Sequence, residues 1–316
     1  MSEYLEIIIK ILPVIVLFIL GAVLRKMRFF KEGSVADLKS LVVNISLPCL
    51  LFLAFASAQL EIAFLLIVAT VFVICLLMLL LGKPLGRLAR VNTPYFAYLM
   101  AGFETGMLGY AIYTSVFGMQ HIDKLAIIDL GQVLFVFFVL MTILLKMKGE
   151  AGTSKDVLKL FITSPVIVSI FLGIAVSLIA RVLPVFETGV WGSVEGLAQM
   201  VGSITTPVIC IVIGYELQFA GGGIWKSVKT ILIRTALLLV LALLVNRFLI
   251  RGVLNLGIMY EYAVLTMFLL PPPFVISVFM DSKDTKNTHY VANTLSLSTV
   301  VSLGVFIIVM LVMQSL

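Results

Sequence analysis

Charge is what this sequence has least of. Only 12% of its 316 residues are Asp, Glu, Lys or Arg, while 62% are hydrophobic and the mean hydropathy is +1.21. A soluble chain carries about 25% charged residues, so a water-facing surface could not be covered and a soluble fold is excluded. Histidine is nearly absent. His121 and His289 stand in loop regions and no HExxH occurs, which argues against an intramembrane metalloprotease. No GxxxxGK[ST] is present, so ATP hydrolysis would need another subunit. Cys49, Cys75 and Cys210 lie far apart in apolar segments without a CxxC. They read as small buried hydrophobes and say nothing of redox compartment. The short alternating segments of a membrane β-barrel are missing too.

What is there is a succession of apolar stretches of about 20 residues, each long enough to cross ~30 Å of hydrocarbon as a helix. Ten spans are expected, centred near residues 15, 47, 72, 105, 136, 170, 206, 240, 269 and 303. Glu3 and Glu6 spoil a basic leader and no small-residue cleavage site follows, so the first stretch is read as a span. The formal charge of +6 does not point to nucleic acid, because its placement is one-sided. Of the 22 Lys and Arg, only Lys10, Lys124, Arg181, Arg247 and Arg251 fall outside the odd-numbered loops. Positive loops stay inside, so both termini are expected outside the cell (inner) membrane.

The chain repeats itself. Residues 13–21 read PVIVLFILG and residues 165–173 read PVIVSIFLG, identical at six of nine positions. NISLPCLLFL around Pro48 is echoed by SITTPVICIV around Pro207, and YFAYLMAGFETG from Tyr95 by YEYAVLTMFLLPPP from Tyr260. Two five-span units, residues 1–146 and 160–316, joined by a cytoplasmic linker at 147–159, follow from this. Five is odd, so the second unit starts on the opposite side, giving an inverted repeat of the kind that builds transporters around a central site.

The fourth span of each unit is interrupted. Repeat 2 carries Pro271, Pro272 and Pro273, and each proline removes a donor and clashes with the preceding turn. Repeat 1 carries Gly102, Gly106 and Gly109 around an ionisable Glu104. Broken backbone at mid-membrane is tolerated where it lines a cavity or is buried in protein. Two such breaks head to head would offer freed N–H groups, which favour an anion.

These segments, ILPVIVLFILGAVLRKMRFF, LVVNISLPCLLF, GFETGMLGYAIYTSVFG, SITTPVICIVIGYEL and LLPPPFVISVF, resemble the auxin efflux carrier family across essentially the whole chain. Plant auxin exporters and bacterial permeases proposed to carry malate or malonate belong to it. The resemblance implies an all-α polytopic fold in which spans 1, 2, 6 and 7 form a scaffold, expected to be homodimeric. Spans 3–5 and 8–10 would form a mobile unit, with broken helices 4 and 9 crossing at the site. Bacterial members commonly read Asn-Thr-Gly-x-x-Gly-x-Pro in span 4. Here Glu104 replaces the Asn and Ala111 the proline, while Gly106 and Gly109 hold. Ala111 implies a less sharply broken helix in this half. In span 9, Pro271 matches the crossover proline.

Glu104 changes the expected chemistry. A glutamate hydrogen-bonds a carboxylate only when protonated, when its O–H becomes a donor. The first reading is therefore a secondary transporter of a small organic anion, a dicarboxylate such as malate or malonate, coupled to protons at Glu104. The alternative is a sodium-coupled transporter of an organic solute with an ionised Glu104 as cation ligand. No other cofactor is expected, and an enzyme is not. Thr105, Gly106, Gly109, Pro271 and Pro272 complete the expected crossover site. Asp129 and Gln132, one helical turn apart in span 5, should face it together. Asn44 in span 2 and Asn293 and Ser298 in span 10 are further candidates. Arg234 in span 8 offers a counter-charge for an anion, but reads first as an interfacial arginine with its guanidinium reaching water.

Overall fold

The computed structural model describes residues 3–31, 33–58, 61–147, 154–180, 189–219, 221–280 and 284–314. Among these there is helix and no strand. Ten helical segments follow in order. The first repeat has α1 (Glu3–Lys26), α2 (Ser34–Ser57), α3 (Phe64–Leu88), the halves α4a (Tyr95–Met100) and α4b (105–117), and α5 (Met119–Met147). The second has α6a (Ser154–Thr163) with α6b (Pro165–Ala180), α7 (Trp191–Glu216), α8 (Ile224–Val253), the halves α9a (Ile258–Leu269) and α9b (Val275–Val278), and α10 (Thr285–Gln314). By length and composition α2, α3, α5, α7, α8 and α10 can each cross a membrane, and the pair α6a and α6b adds a seventh span if its 59° bend is counted within one. The bend falls at Ser164, before Pro165, where proline disfavours helix in the preceding residue. Helix thus begins at Ser154, inside the stretch expected as linker, while residues 148–153 lie outside the described residues.

Large apolar side chains face outward as well as filling the core, and a set of polar side chains is buried within that core, the arrangement a lipid solvent allows. Val16 and Ile19 of α1, Leu65, Val73 and Leu80 of α3 and Leu232 and Val240 of α8 face outward. Glu104, Thr105, Asp129, Gln132, Arg234 and Asn293 are buried.

Packing repeats between the halves. α1 lies along α7, and α2 along α6b. Matching glycines of the repeated motif permit both contacts. A Cβ on Gly21 would stand 2.2 Å from the Ile211 carbonyl oxygen, and one on Gly173 would stand 2.7 Å from that of Phe52. α3 packs on α5 and α4a, as α8 packs on α10 and α9a; α9a reaches α5, as α4a reaches α10.

Contacts also sort the loops. At one end Arg25 donates to the Leu217 carbonyl, Lys39 pairs with Glu216, Lys229 donates to the Ala89 carbonyl and Thr93 bonds Asn287. At the other, Ser177 donates to the Ala58 carbonyl, Tyr113 to that of Met259, and Arg251 pairs with Glu261. Loops after spans 1, 3, 7 and 9 thus share one end, and those after spans 2, 4, 6 and 8 the other. α1 and α6b therefore run in opposite directions, as an inverted repeat requires. The expected exterior placement of the termini concerns residues 1, 2, 315 and 316, which lie outside the described residues.

Candidate functional site

Both breaks occur where the sequence expects them, by different means. α4a stops at Met100; Ala101 is extended (φ −108°, ψ 150°) and Gly102 is left-handed at φ +71°. An L side chain at Gly102 would be strained, and its Cβ would stand 2.8 Å from Pro273 Cγ. α9a stops at Leu269, Leu270 is extended (φ −67°, ψ 154°), and the three prolines follow. The break in α4 is a full interruption of residues 101–104, so the absence of a proline at Ala111, which lies within α4b, does not soften it. The left-handed glycine does the work expected of that proline.

The two breaks touch through Glu104. Its backbone N–H donates to the Pro271 carbonyl at 3.0 Å. Its carboxylate accepts from the Phe274 N–H at 2.6 Å through Oε2 and from the Met107 N–H at 3.4 Å through Oε1. Prolines 271–273 have no N–H, so Phe274 supplies the first backbone donor after the second break. The anion position that the freed amides create is thus filled by the protein's own side chain.

Arg234 holds the opposite ends. Its Nη1 donates to the carbonyls of Leu99 (3.1 Å) and Met100 (2.6 Å), and its Nη2 to those of Gly102 (2.6 Å) and Leu270 (3.3 Å). The guanidinium lies 5.4 Å from the Phe103 ring centroid, and that ring stacks on Phe268 at 5.1 Å. Only 3% of Arg234 is exposed, which corrects the interfacial expectation. Each broken span ends in carbonyls without helical partners, and the arginine satisfies them.

α5 adds a polar edge. Asp129 Oδ2 accepts from the Tyr110 hydroxyl at 3.0 Å, and Gln132 Nε2 donates to the Phe103 carbonyl at 2.9 Å. Thr105 Oγ1, Asp129 Oδ1 and Gln132 Oε1 are buried without a hydrogen-bond partner among the described residues. A cavity of about 360 Å³ opens beside them, lined by Glu104, Gly106, Asp129 and Gln132 with a largely apolar wall from α2, α5 and α9b. A second, of about 320 Å³, lies between α7, α9b and α10 and is lined by Gln218, Ser296 and Thr299 among others. Lys39 and Phe274 line both.

Glu104, Thr105, Gly106, Asp129 and Gln132 therefore come together. Gly109 packs beneath them, where a Cβ would meet Leu270 at 2.7 Å, and Pro271 and Pro272 are buried in the second break. Three expected residues are elsewhere. Asn44 is exposed and bonds Ser40 one turn back, Asn293 donates to the Gly222 carbonyl at the loop end, and Ser298 bonds the Leu295 carbonyl of its own helix. Lys39 and Phe274 were missed as site residues, and Arg234 enters the sequence reading only as an anion counter-charge, set below the interfacial one. Of these, only Arg234 carried a signal, as a charge deep in an apolar run.

A membrane transporter is the class this arrangement fits: two repeats of opposite direction, with two broken helices meeting in a buried polar centre beside cavities. The chain belongs to the membrane transport protein family, which it matches over residues 6–313 and which includes the auxin efflux carriers it resembles. It is also 24% identical over 219 residues to an uncharacterized transporter of Methanothermobacter thermautotrophicus, covering 66% of this chain and 67% of that protein. The protein is a multi-pass membrane transporter and not an enzyme.

Proposed function

We propose that the protein is a proton-coupled secondary transporter of a small organic anion, bound at the crossover where Glu104 now sits. One observation carries this reading: the Phe274 N–H already holds a carboxylate, at 2.6 Å. When Glu104 takes a proton, its hold on that N–H weakens and its O–H becomes a donor. A solute carboxylate then accepts from both. For a monoanion, proton and solute enter together and the crossover carries the same net charge empty and loaded, which eases its movement through the membrane; a dianion adds one further negative charge. A dicarboxylate would place its second carboxylate toward the Lys39 ammonium, which lines the same cavities.

The moving unit would be α3–α5 with α8–α10, sliding as an elevator against a scaffold of α1, α2, α6 and α7, two copies meeting through their scaffolds. The tight glycine contacts at Gly21 and Gly173 lie within that scaffold and support a rigid frame.

Glu104→Gln, which mimics the protonated acid, tests the reading in proteoliposomes loaded by a screen of organic acids with and without a proton gradient. The variant should still exchange anion, with a flat pH profile and no proton-driven accumulation. Uptake identical to wild type, with the same pH and sodium response, would overturn the reading.

A further inference from the structure

We infer that Arg234 is a built-in cation of the crossover: its guanidinium fills a four-carbonyl position that would otherwise take a free monovalent cation, so the transporter needs no sodium there. The inference goes beyond the identity of the solute and stands whether or not Glu104 carries a proton.

Three features of the site point this way. First, the ligands are carbonyl oxygens alone. Leu99, Met100, Gly102 and Leu270 contribute one each at 2.6–3.3 Å, and Arg234 forms no ion pair among the described residues. A buried charge is ordinarily matched by a carboxylate or a metal; here it is matched by backbone dipoles, as an alkali cation in a membrane protein would be. Second, the carbonyls come from both breaks: three from the C-terminal side of α4a and one from that of α9a. These are the negative ends of two half-helices, and a single positive group serves both. Third, the cation is tethered to the helices it serves. α8 packs on α9a and also contacts α4a, so the charge travels with the crossover. A free ion would have to be bound and released in every cycle, and a covalent guanidinium does neither.

Glu104 and Arg234 then form a matched set. One carboxylate occupies the amides on one side of the crossing and one guanidinium occupies the carbonyls on the other. Phe103, under the guanidinium, closes that side with an aromatic face.

Truncating the arginine should convert the built-in cation into a binding site. The test uses purified, detergent-solubilised protein and reads melting temperature at constant ionic strength in sodium, choline and low-millimolar methylguanidinium chlorides. Wild type should melt alike in all three. Arg234→Ala should melt lower in choline and recover by a few degrees, saturably, with methylguanidinium and with sodium. Arg234→Lys, which keeps a tethered charge, should stay indifferent to sodium. An Arg234→Ala protein that responds identically to all three salts overturns the inference, and so does a saturable, sodium-specific rise in the wild type. Should Arg234→Ala fail to fold in every salt, the other two proteins decide. A sodium-specific shift in either overturns the inference, and indifference in both upholds it. No solute or proton gradient enters the measurement, so its failure is distinct from failure of the proton-coupled reading.

Discussion

The two breaks occupy corresponding places in the repeats yet solve the same problem oppositely. At 101–104 the chain keeps all its amides, turns through a left-handed Gly102 and supplies an acceptor, Glu104. At 270–274 it deletes three donors with prolines and leaves one amide, Phe274, to be satisfied. One break offers a side-chain acceptor, and the other has a single donor for it to take. The fold is nearly symmetric and the chemistry is not, so the halves cannot be exchanged: the ionisable group belongs to repeat 1 and the cavity amide to repeat 2.

Glu104→Ala should break this pairing with the largest effect. It leaves the Phe274 N–H without its acceptor and removes a hydrogen bond to a charged group, at about 2–3 kcal/mol. Melting should fall clearly and solute uptake should drop by about thirty- to a hundredfold, since each 1.4 kcal/mol is a factor of ten. A variant that melts with the wild type would mean the breaks are held by packing alone.

Next comes Gly102→Ala, expected to destabilise by about 2 kcal/mol. An L residue at φ +71° is strained, and the new Cβ would press on Pro273 Cγ at 2.8 Å. Pro271→Ala probes the other break and should act more on transport than on stability. It restores an amide at 271 that can bond back to a carbonyl of α9a, which would shift the Leu270 carbonyl from Arg234, although Pro272 still stops the helix there. Folding should change by less than about 1 kcal/mol while uptake falls several-fold, the reverse of the balance expected at Gly102. Equal losses of stability in both variants would remove the distinction between a strained glycine turn and a proline stop.

Much of this architecture was legible in the residues. Low charge and recurrent apolar runs announce a membrane bundle, and the duplicated PVIV motif announces two halves whose glycines prove to face matching backbones. Both breaks announce themselves because glycine and proline act locally. Sites that depend on which side of a helix faces inward were harder. Asn44 sits within the π-helical turn Val42–Ser46, whose wider winding shifts every following side chain off a 3.6-residue register. Arg234 misled for another reason. A snorkelling arginine and one that caps broken helices have the same apolar flanks, and only the fold brings carbonyls from residues 99, 100, 102 and 270 around one of them. Lys39, counted as a topology charge, borders both cavities because α2 runs past the crossing of α4 and α9.

Lys39 also gives the smallest expected effect and the one that best separates folding from recognition. Its partner is Glu216, 3.0 Å away, with side chains 30% and 40% exposed. Such a pair contributes about 0–1 kcal/mol, because water screens the attraction and two long side chains lose freedom. Lys39→Gln should therefore leave melting within about 0.5 kcal/mol of wild type. Its charge nevertheless stands beside both cavities, where it would raise the local concentration of an incoming organic anion. Half-saturation for the best solute from the organic-acid screen should rise several-fold at low ionic strength. The difference from wild type should shrink as salt approaches 1 M, where the screening length falls to about 3 Å. A rise that ignores salt would place Lys39 in direct contact with the bound solute, and no rise at all would leave it only a loop charge and deny the cavities their preference for anions.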